Sequence, residues 1–280
     1  MFQSELINIK AESLSRLSDS CLWLKNKEKA LYALYEECKS PDNVKLIEDL
    51  IQRFTIIREE ERNEAYWAIT EQIKRVYIPH ETLVIAMTKG GDADSSQKVI
   101  HELKSFLEAE KIFHYKQLNH FNLSPKNHKK YKCFILVDEF MGSGKTVVSR
   151  YNEIKKIFPD LDSIHFFMIA AMDLAMENVK MAVKDISIYS HYVLKQGINC
   201  HYSEPLLTNN INTMLAHEAC LSSQIGSKEL KDYSLGYNNA QALVAFGDYN
   251  LPNSVFPVFW WPNDDFNRKT LFTRYEPGFH

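Results

Sequence analysis

The apolar residues of this chain follow two different periods, and the change from one to the other divides it. Residues 1–76 are dense in Leu, Glu, Lys and Arg, contain no glycine and have Pro41 as their one proline. Their pattern is helical. Leu46, Ile47, Leu50, Ile51, Phe54 and Ile57 recur at i, i+3 and i+4 and predict a single apolar stripe. Ser40-Pro41-Asp42-Asn43 reads as the break and N-cap before that helix, and Arg58–Arg62 as a charged, exposed turn. From residue 77 onward, short apolar runs alternate with helical stretches. Thr82–Met87, Ile112–Leu118, Cys133–Val137, Ile164–Ala171 and Ile186–Ser190 are the predicted strands, with helices over 95–107, 145–157 and 174–183 between them. Apolar runs without polar alternation suit strands buried on both faces of a parallel sheet. Strand-helix alternation of this kind predicts an α/β fold with a doubly wound parallel sheet and ligands at the carboxyl ends of the strands.

Beyond Gly197 the alternation stops. A helix is expected over 204–225, and the rest is aromatic and rich in Asn and Pro. The predicted organisation is an N-terminal helical region (1–76), an α/β core (77–196) and a C-terminal aromatic extension packing on the core (197–280). The N-terminal helices serve either as a layer over the core or as a surface for a partner or a second copy of the chain. The Asn/His/Lys-rich stretch 119–130 reads as a loop, solvated or able to close over a site.

Composition narrows the setting more than the chemistry. With 280 residues, 45% of them hydrophobic, the chain can bury a sizeable core, and its net charge of -3 gives no overall pull toward nucleic acid. Cys21, Cys38, Cys133, Cys200 and Cys220 are odd in number and lack metal-ligand spacing, so reduced thiols and a cytoplasmic location are expected. No apolar run approaches the roughly 18 residues of a membrane span, and the first residues lack the basic and apolar parts of a leader.

The chemistry concentrates at Cys133–Thr146. An apolar strand is followed by Asp138 and Glu139, a short loop with Gly142 and Gly144, then Lys145, Thr146 and a helix. This places backbone N–H groups and a helix N-terminus beside two carboxylates, which suits a ligand with a phosphate at one end and hydroxyls or a metal at the other. Gly144-Lys145-Thr146 has the ending of a P-loop, but that motif needs glycine where Glu139 stands.

The stretch instead resembles the phosphoribosyl-pyrophosphate (PRPP) signature of the type I phosphoribosyltransferases, with the acid pair in the order Asp-Glu. The resemblance implies that Asp138 and Glu139 hold the ribose hydroxyls, and that Met141, Gly142, Ser143, Gly144, Lys145 and Thr146 hold the 5′-phosphate. It further implies that Lys89, Gly90 and Gly91, in the loop after the first core strand, bind pyrophosphate, with Lys89 a point charge for the leaving group. Magnesium is then expected, carried by substrate oxygens with no direct protein ligand. Leu235-Gly236-Tyr237-Asn238-Asn239-Ala240-Gln241-Ala242-Leu243-Val244, the Asn250-Leu251-Pro252-Asn253 turn and Pro257–Trp261 are similar to the C-terminal blocks of a divergent phosphoribosyltransferase-like family associated with bacterial conflict and anti-phage systems. Asn238, Leu251 and Ser254 depart from that pattern. This resemblance spans roughly residues 80–275 and implies a pentosyl transferase acting in defence, with a protein or RNA partner and homo-oligomerisation as further expectations. Asn250 and Asn253 are candidate readers of a base edge, and Trp260 and Trp261 candidate stacking surfaces. The rival reading is a non-catalytic nucleotide-binding or assembly subunit that keeps the ribose-phosphate loop. No residue identifies the general base.

Overall fold

The glycine-free start of the chain forms three helices, α1 (Phe2–Ser20), α2 (Glu28–Glu37) and α3 (Pro41–Gln52), followed by a short strand, β1 (Thr55–Ile57). The computed structural model describes residues 2–88, 95–247 and 251–274. Helix α3 opens as its sequence predicts: the Ser40 side chain accepts from the Asn43 amide, and Pro41 occupies the first turn. The predicted stripe is buried throughout, but the helix stops at Gln52. Phe54 lies in the connection and Ile57 on β1, because Thr55-Ile56-Ile57 is β-branched and pairs in parallel with residues 244–246.

Next comes α4 (Glu59–Val76). The charged stretch expected to be an exposed turn is its first turn, where Glu59, Glu60 and Glu61 meet the positive end of the helix dipole. Then follow β2 (Thr82–Ala86), α5 (Ser95–Ala109), β3 (Tyr115–Leu118), the single turn α6 (Pro125–His128), β4 (Cys133–Met141), α7 (Lys145–Ile157), β5 (Ser163–Met172), α8 (Asp173–Ala182) and β6 (Ser187–Leu194). The stretch expected to be loop over 119–130 therefore holds one helical turn, with the Ser124 amide donating to His128 Nδ1.

The sheet is parallel with order β3-β2-β4-β5-β6. After β2 the chain steps outward to β3, then returns to β4 on the other side of β2 and continues outward to β6. Right-handed crossovers put α5 on one face and α7 and α8 on the other. Helix α4 packs on α5, β5 and β6, and α8 packs on α7, β5 and β6. The direction reverses between β2 and β4, where open α/β sheets bind ligands beyond the strand ends.

The remainder comprises α9 (Leu206–Glu218), a small hairpin of β7 (Gln224–Ile225) and β8 (Lys228–Glu229), and β9 (Val244–Phe246), the parallel partner of β1. Helix α9 is shorter than the expected 204–225 because the chain turns after Glu218 into that hairpin, whose Gly226 has φ of 54°. The chain divides into two units, residues 59–194 and residues 1–58 with 195–280. This differs from the three-part reading. The first three helices belong with the C-terminal stretch, and α4 belongs with the sheet.

In the terminal unit α3 packs on α1 and α9. The Arg16 guanidinium donates to both Glu48 oxygens (2.6 and 2.8 Å), and Arg268 donates to both Glu37 oxygens (2.8 and 2.7 Å), tying the C-terminal stretch to α2. Trp23, Phe54, Phe259 and Phe272 form an aromatic cluster with centroid separations of 5.1–5.6 Å.

Candidate functional site

Strand β4 carries the candidate acids, and its length changes their setting. Cys133 to Val137 have no solvent exposure, as the unbroken apolar run predicts. The sequence suggested that the strand ends there. It runs on to Met141 because β5 is long enough to pair with it through Met141↔Ala171. The ladder to β2 stops at Ala86↔Val137. Asp138 and Glu139 therefore lie just past the end of β2, at the point where the strand order reverses.

Successive side chains of a strand leave on opposite faces. Phe134 stacks edge-on against Phe158 at the end of α7, so Asp138, four residues on, leaves toward the α7 side and is half-buried. Its Oδ1 accepts the Glu139 amide at 2.8 Å. Glu139 leaves toward α4 and is buried. Its charge reaches Tyr66 of α4, whose phenol is pushed up by burial first, then by its 2.7 Å hydrogen bond to Glu102, with Glu139 adding to both. The two acids thus differ in surroundings as well as in length.

The turn from β4 into α7 is Gly142-Ser143-Gly144. Gly144 is the N-cap of α7 in a left-handed conformation, with φ of 81°. A Cβ there would fall 2.4 Å from Val179 Cγ2 and 2.9 Å from the Ala175 carbonyl oxygen of α8. Glycine is thus required by the backbone and by the approach of α8 together. Val147 and Ile154 seat α7 in the core, while Lys145 and Thr146 stand exposed at its N-terminus. Gly142 and Ser143 are half-buried, and the Met141 side chain is buried, so Met141 can serve a phosphate only through its backbone. A helix N-terminus opening from a glycine turn directs N–H groups toward an anion.

One residue of this region carried no sequence signal. Arg150 of α7 is 9% exposed, and its Nε donates to the Met87 carbonyl, 2.9 Å away, at the carboxyl end of β2. Its guanidinium also lies over the Phe121 ring, 4.6 Å from the centroid. The Thr88 amide donates to Ser96 Oγ at the start of α5. The helix that opens at the candidate phosphate loop therefore also fixes the end of the neighbouring strand. Lys89, Gly90, Gly91 and Asn250 lie outside the described residues.

The remaining candidates lie in the terminal unit. Asn253 is half-buried, and its carbonyl accepts the Tyr237 amide at 3.0 Å. Trp260 and Trp261 are 2% and 0% exposed, and their Nε1 groups donate to the Val255 and Ser222 carbonyls at 3.0 and 2.9 Å. Both rings are core, which removes them as stacking surfaces for a base. No group of three or more His, Cys, Asp or Glu able to hold a metal occurs among the described residues. A magnesium ion carried by its substrate needs no such cage.

Residues 23–274 match the PRTase-CE family. No curated protein matches the chain. Among solved structures, it is similar to a hypothetical protein from Neisseria gonorrhoeae with bound ppGpp (13% identity, TM-score 0.37), over 51% of this chain and 85% of that one. A xanthine-guanine-hypoxanthine phosphoribosyltransferase from Helicobacter pylori (14%, TM-score 0.32) matches over 50% and 88%. A purine phosphoribosyltransferase from Pyrococcus horikoshii Ot3 (15%, TM-score 0.30) matches over 50% and 91%.

Proposed function

The chain belongs to the PRTase-CE family, and from that premise we propose that it binds PRPP, or a related ribose-phosphate, and transfers the pentosyl group to an acceptor. The observation that carries this reading is the placement of the acid pair and the Gly144-capped helix N-terminus at the reversal point of the parallel sheet. In this reading the 5′-phosphate lies on the Gly142–Thr146 turn, and Asp138 takes the ribose hydroxyls. Glu139 acts from the opposite face of the strand, adding negative charge behind the sugar. Displacement at C1′ breaks the bond to pyrophosphate and builds positive charge on the sugar, which the two carboxylates offset electrostatically. Lys89, Gly90 and Gly91 are the proposed pyrophosphate residues. Magnesium bound with the substrate supplies charge neutralisation at the leaving group. The role as an effector in bacterial anti-phage defence is supported by the resemblance of the C-terminal blocks.

Calorimetric titration of Mg-PRPP into the wild type and an Asp138→Asn/Glu139→Gln double variant tests the reading, followed by a pyrophosphate-release assay with cell extract. Binding that is lost in the variant, together with extract-dependent release, supports a transferase. Binding without release supports instead a nucleotide-binding subunit of a larger assembly. Absence of binding overturns the assignment of the loop.

A further inference from the structure

Residues 235–241 hold far more left-handed backbone than a loop with one glycine should tolerate. Leu235, Asn238, Asn239 and Gln241 have φ of 55°, 58°, 55° and 51°, and Gly236 among them has 78°. This region crowds the Cβ of an L residue and is easiest for glycine, then Asn. Such a run persists only where its surroundings over-determine it.

Here they do. The Glu218 carboxylate accepts the Leu235 amide at 3.0 Å and the Ser234 hydroxyl at 2.6 Å. Gly236 sits so close to residue 254 that a Cβ would fall 1.9 Å from the Ser254 carbonyl oxygen. The Tyr237 amide donates to the Asn253 carbonyl, and the Gln241 amide to the Leu235 carbonyl. The buried Gln241 carboxamide accepts from the Ile198 and Asn199 amides and donates to Asn199 Oδ1, each at 2.9 Å. Gln196 donates to the Asn239 carbonyl at 2.8 Å.

These anchors hold the loop and its flanks through backbone groups and through the Ser234 and Gln241 side chains. At its tip Tyr237, Asn238 and Asn239 stand exposed. The Tyr237 ring is 6.0 Å from Tyr233, which packs on Trp260 and Trp261 at 5.7 and 5.2 Å. Tyr237 is therefore the outer member of an aromatic cluster of tilted and edge-on rings rooted in the core. Residues 235–241 include no charged side chain, so this tip selects by a flat ring face and by carboxamides that both donate and accept. Stacking with donor-acceptor reading of an edge is the chemistry that recognises an unpaired nucleobase.

We propose that Tyr237, Asn238 and Asn239 form a preformed recognition site for an unpaired nucleobase, carried by a free nucleotide or by a single strand. The proposal goes beyond the transferase reading and gives the terminal unit a ligand site of its own. It also accounts for the retained strain: glycine at 238 and 239 would relax the backbone but delete the two carboxamides.

The test titrates the full chain with Mg-PRPP, then with the four nucleoside 5′-monophosphates and short single-stranded oligonucleotides, in the wild type, Tyr237→Ala and Asn238→Gly/Asn239→Gly. A base-bearing probe binds the wild type and binds each variant about tenfold or more weakly, with PRPP affinity unchanged. The double glycine variant melts no lower than the wild type, since glycine suits both positions. Binding of monophosphates assigns a free nucleotide, and binding of oligonucleotides alone assigns a strand. If no base-bearing probe binds the wild type, or if both variants keep its affinity, the site is refuted. Failure of PRPP to bind overturns the transferase reading, and the base site then stands or falls on the second titration.

Discussion

Gly144 meets two demands at once, a left-handed φ and an α8 backbone that leaves no space for a methyl group. Gly144→Ala is expected to cost about 2–4 kcal/mol, from strain and overpacking together, and to weaken PRPP binding. Urea unfolding and calorimetry on the same preparation read both effects. Arg150 is a different case. Arg150→Met leaves the Met87 carbonyl without that donor and should destabilise by about 1–3 kcal/mol. It should also lower PRPP affinity, because the end of β2 is no longer fixed, whereas a purely structural role would leave the affinity of the folded fraction unchanged. The Gly-x-Gly-Lys-Thr turn was legible because glycine, charge and spacing are local properties of Gly142–Thr146. Arg150 was not, because its partner is a backbone carbonyl 63 residues away, and any residue type supplies a carbonyl.

At the scale of elements, sequence pattern located the strands well and their ends less well. Cys133–Val137 is apolar, and apolarity marks burial, so the first part of β4 was visible. Asp138–Met141 continues the strand only because β5 extends beside it, and a partner's length is not written in the strand's own residues. Ile57 fell at helical spacing from Phe54 yet belongs to β1, since its ladder partner Phe246 lies 189 residues further on. The Trp260-Trp261 pair shows the same limit: aromatic rings between prolines serve equally as a binding face or as a packed core. Trp261→Phe keeps most of the buried ring but leaves the Ser222 carbonyl without its donor. It should cost about 1–2 kcal/mol by thermal unfolding, and PRPP binding by the folded protein should not change. A loss of binding without loss of stability would return Trp261 to the site.

For the whole molecule, proton linkage is carried by two acids that pull in opposite directions, buried Glu218 and half-buried Glu37. Burial pushes the Glu218 carboxyl up to about 7, against its hydrogen bonds from Ser234 and the Leu235 amide. Burial also acts to raise Glu37, but the nearby His217 ring and the Arg268 guanidinium outweigh it and bring that carboxyl to about 2. Between pH 4.5 and 7 the folded chain holds a proton on Glu218 that the unfolded chain has released, so this group lowers stability as pH rises. Glu37 behaves in reverse: its contribution is present above pH 4.5 and is lost as pH falls toward 2. His128, His165 and His201, all lowered by burial, weaken the fold as pH falls below their ordinary range and so partly mask Glu218 in the wild type. Glu218→Gln removes the masked contribution. Its melting temperature should gain on the wild type steadily from pH 4.5 to 7 and run parallel below pH 4, and a constant offset throughout would refute the assignment.

The division of the chain has a consequence for its synthesis. A ribosome emits residues 1–58 before the sheet, yet the unit they belong to is completed only by residues 195–280. The sheet of residues 59–194 has all its strands as soon as β6 has emerged, so it is the portion able to fold on the way out. Until α9 follows, α3 has α1 beside it but lacks the second helix it packs against in the finished protein, and part of its apolar surface waits uncovered. A stalled or prematurely terminated chain would therefore carry a finished sheet beside a sticky, half-built partner, and the quality-control machinery of the cell would meet that species first.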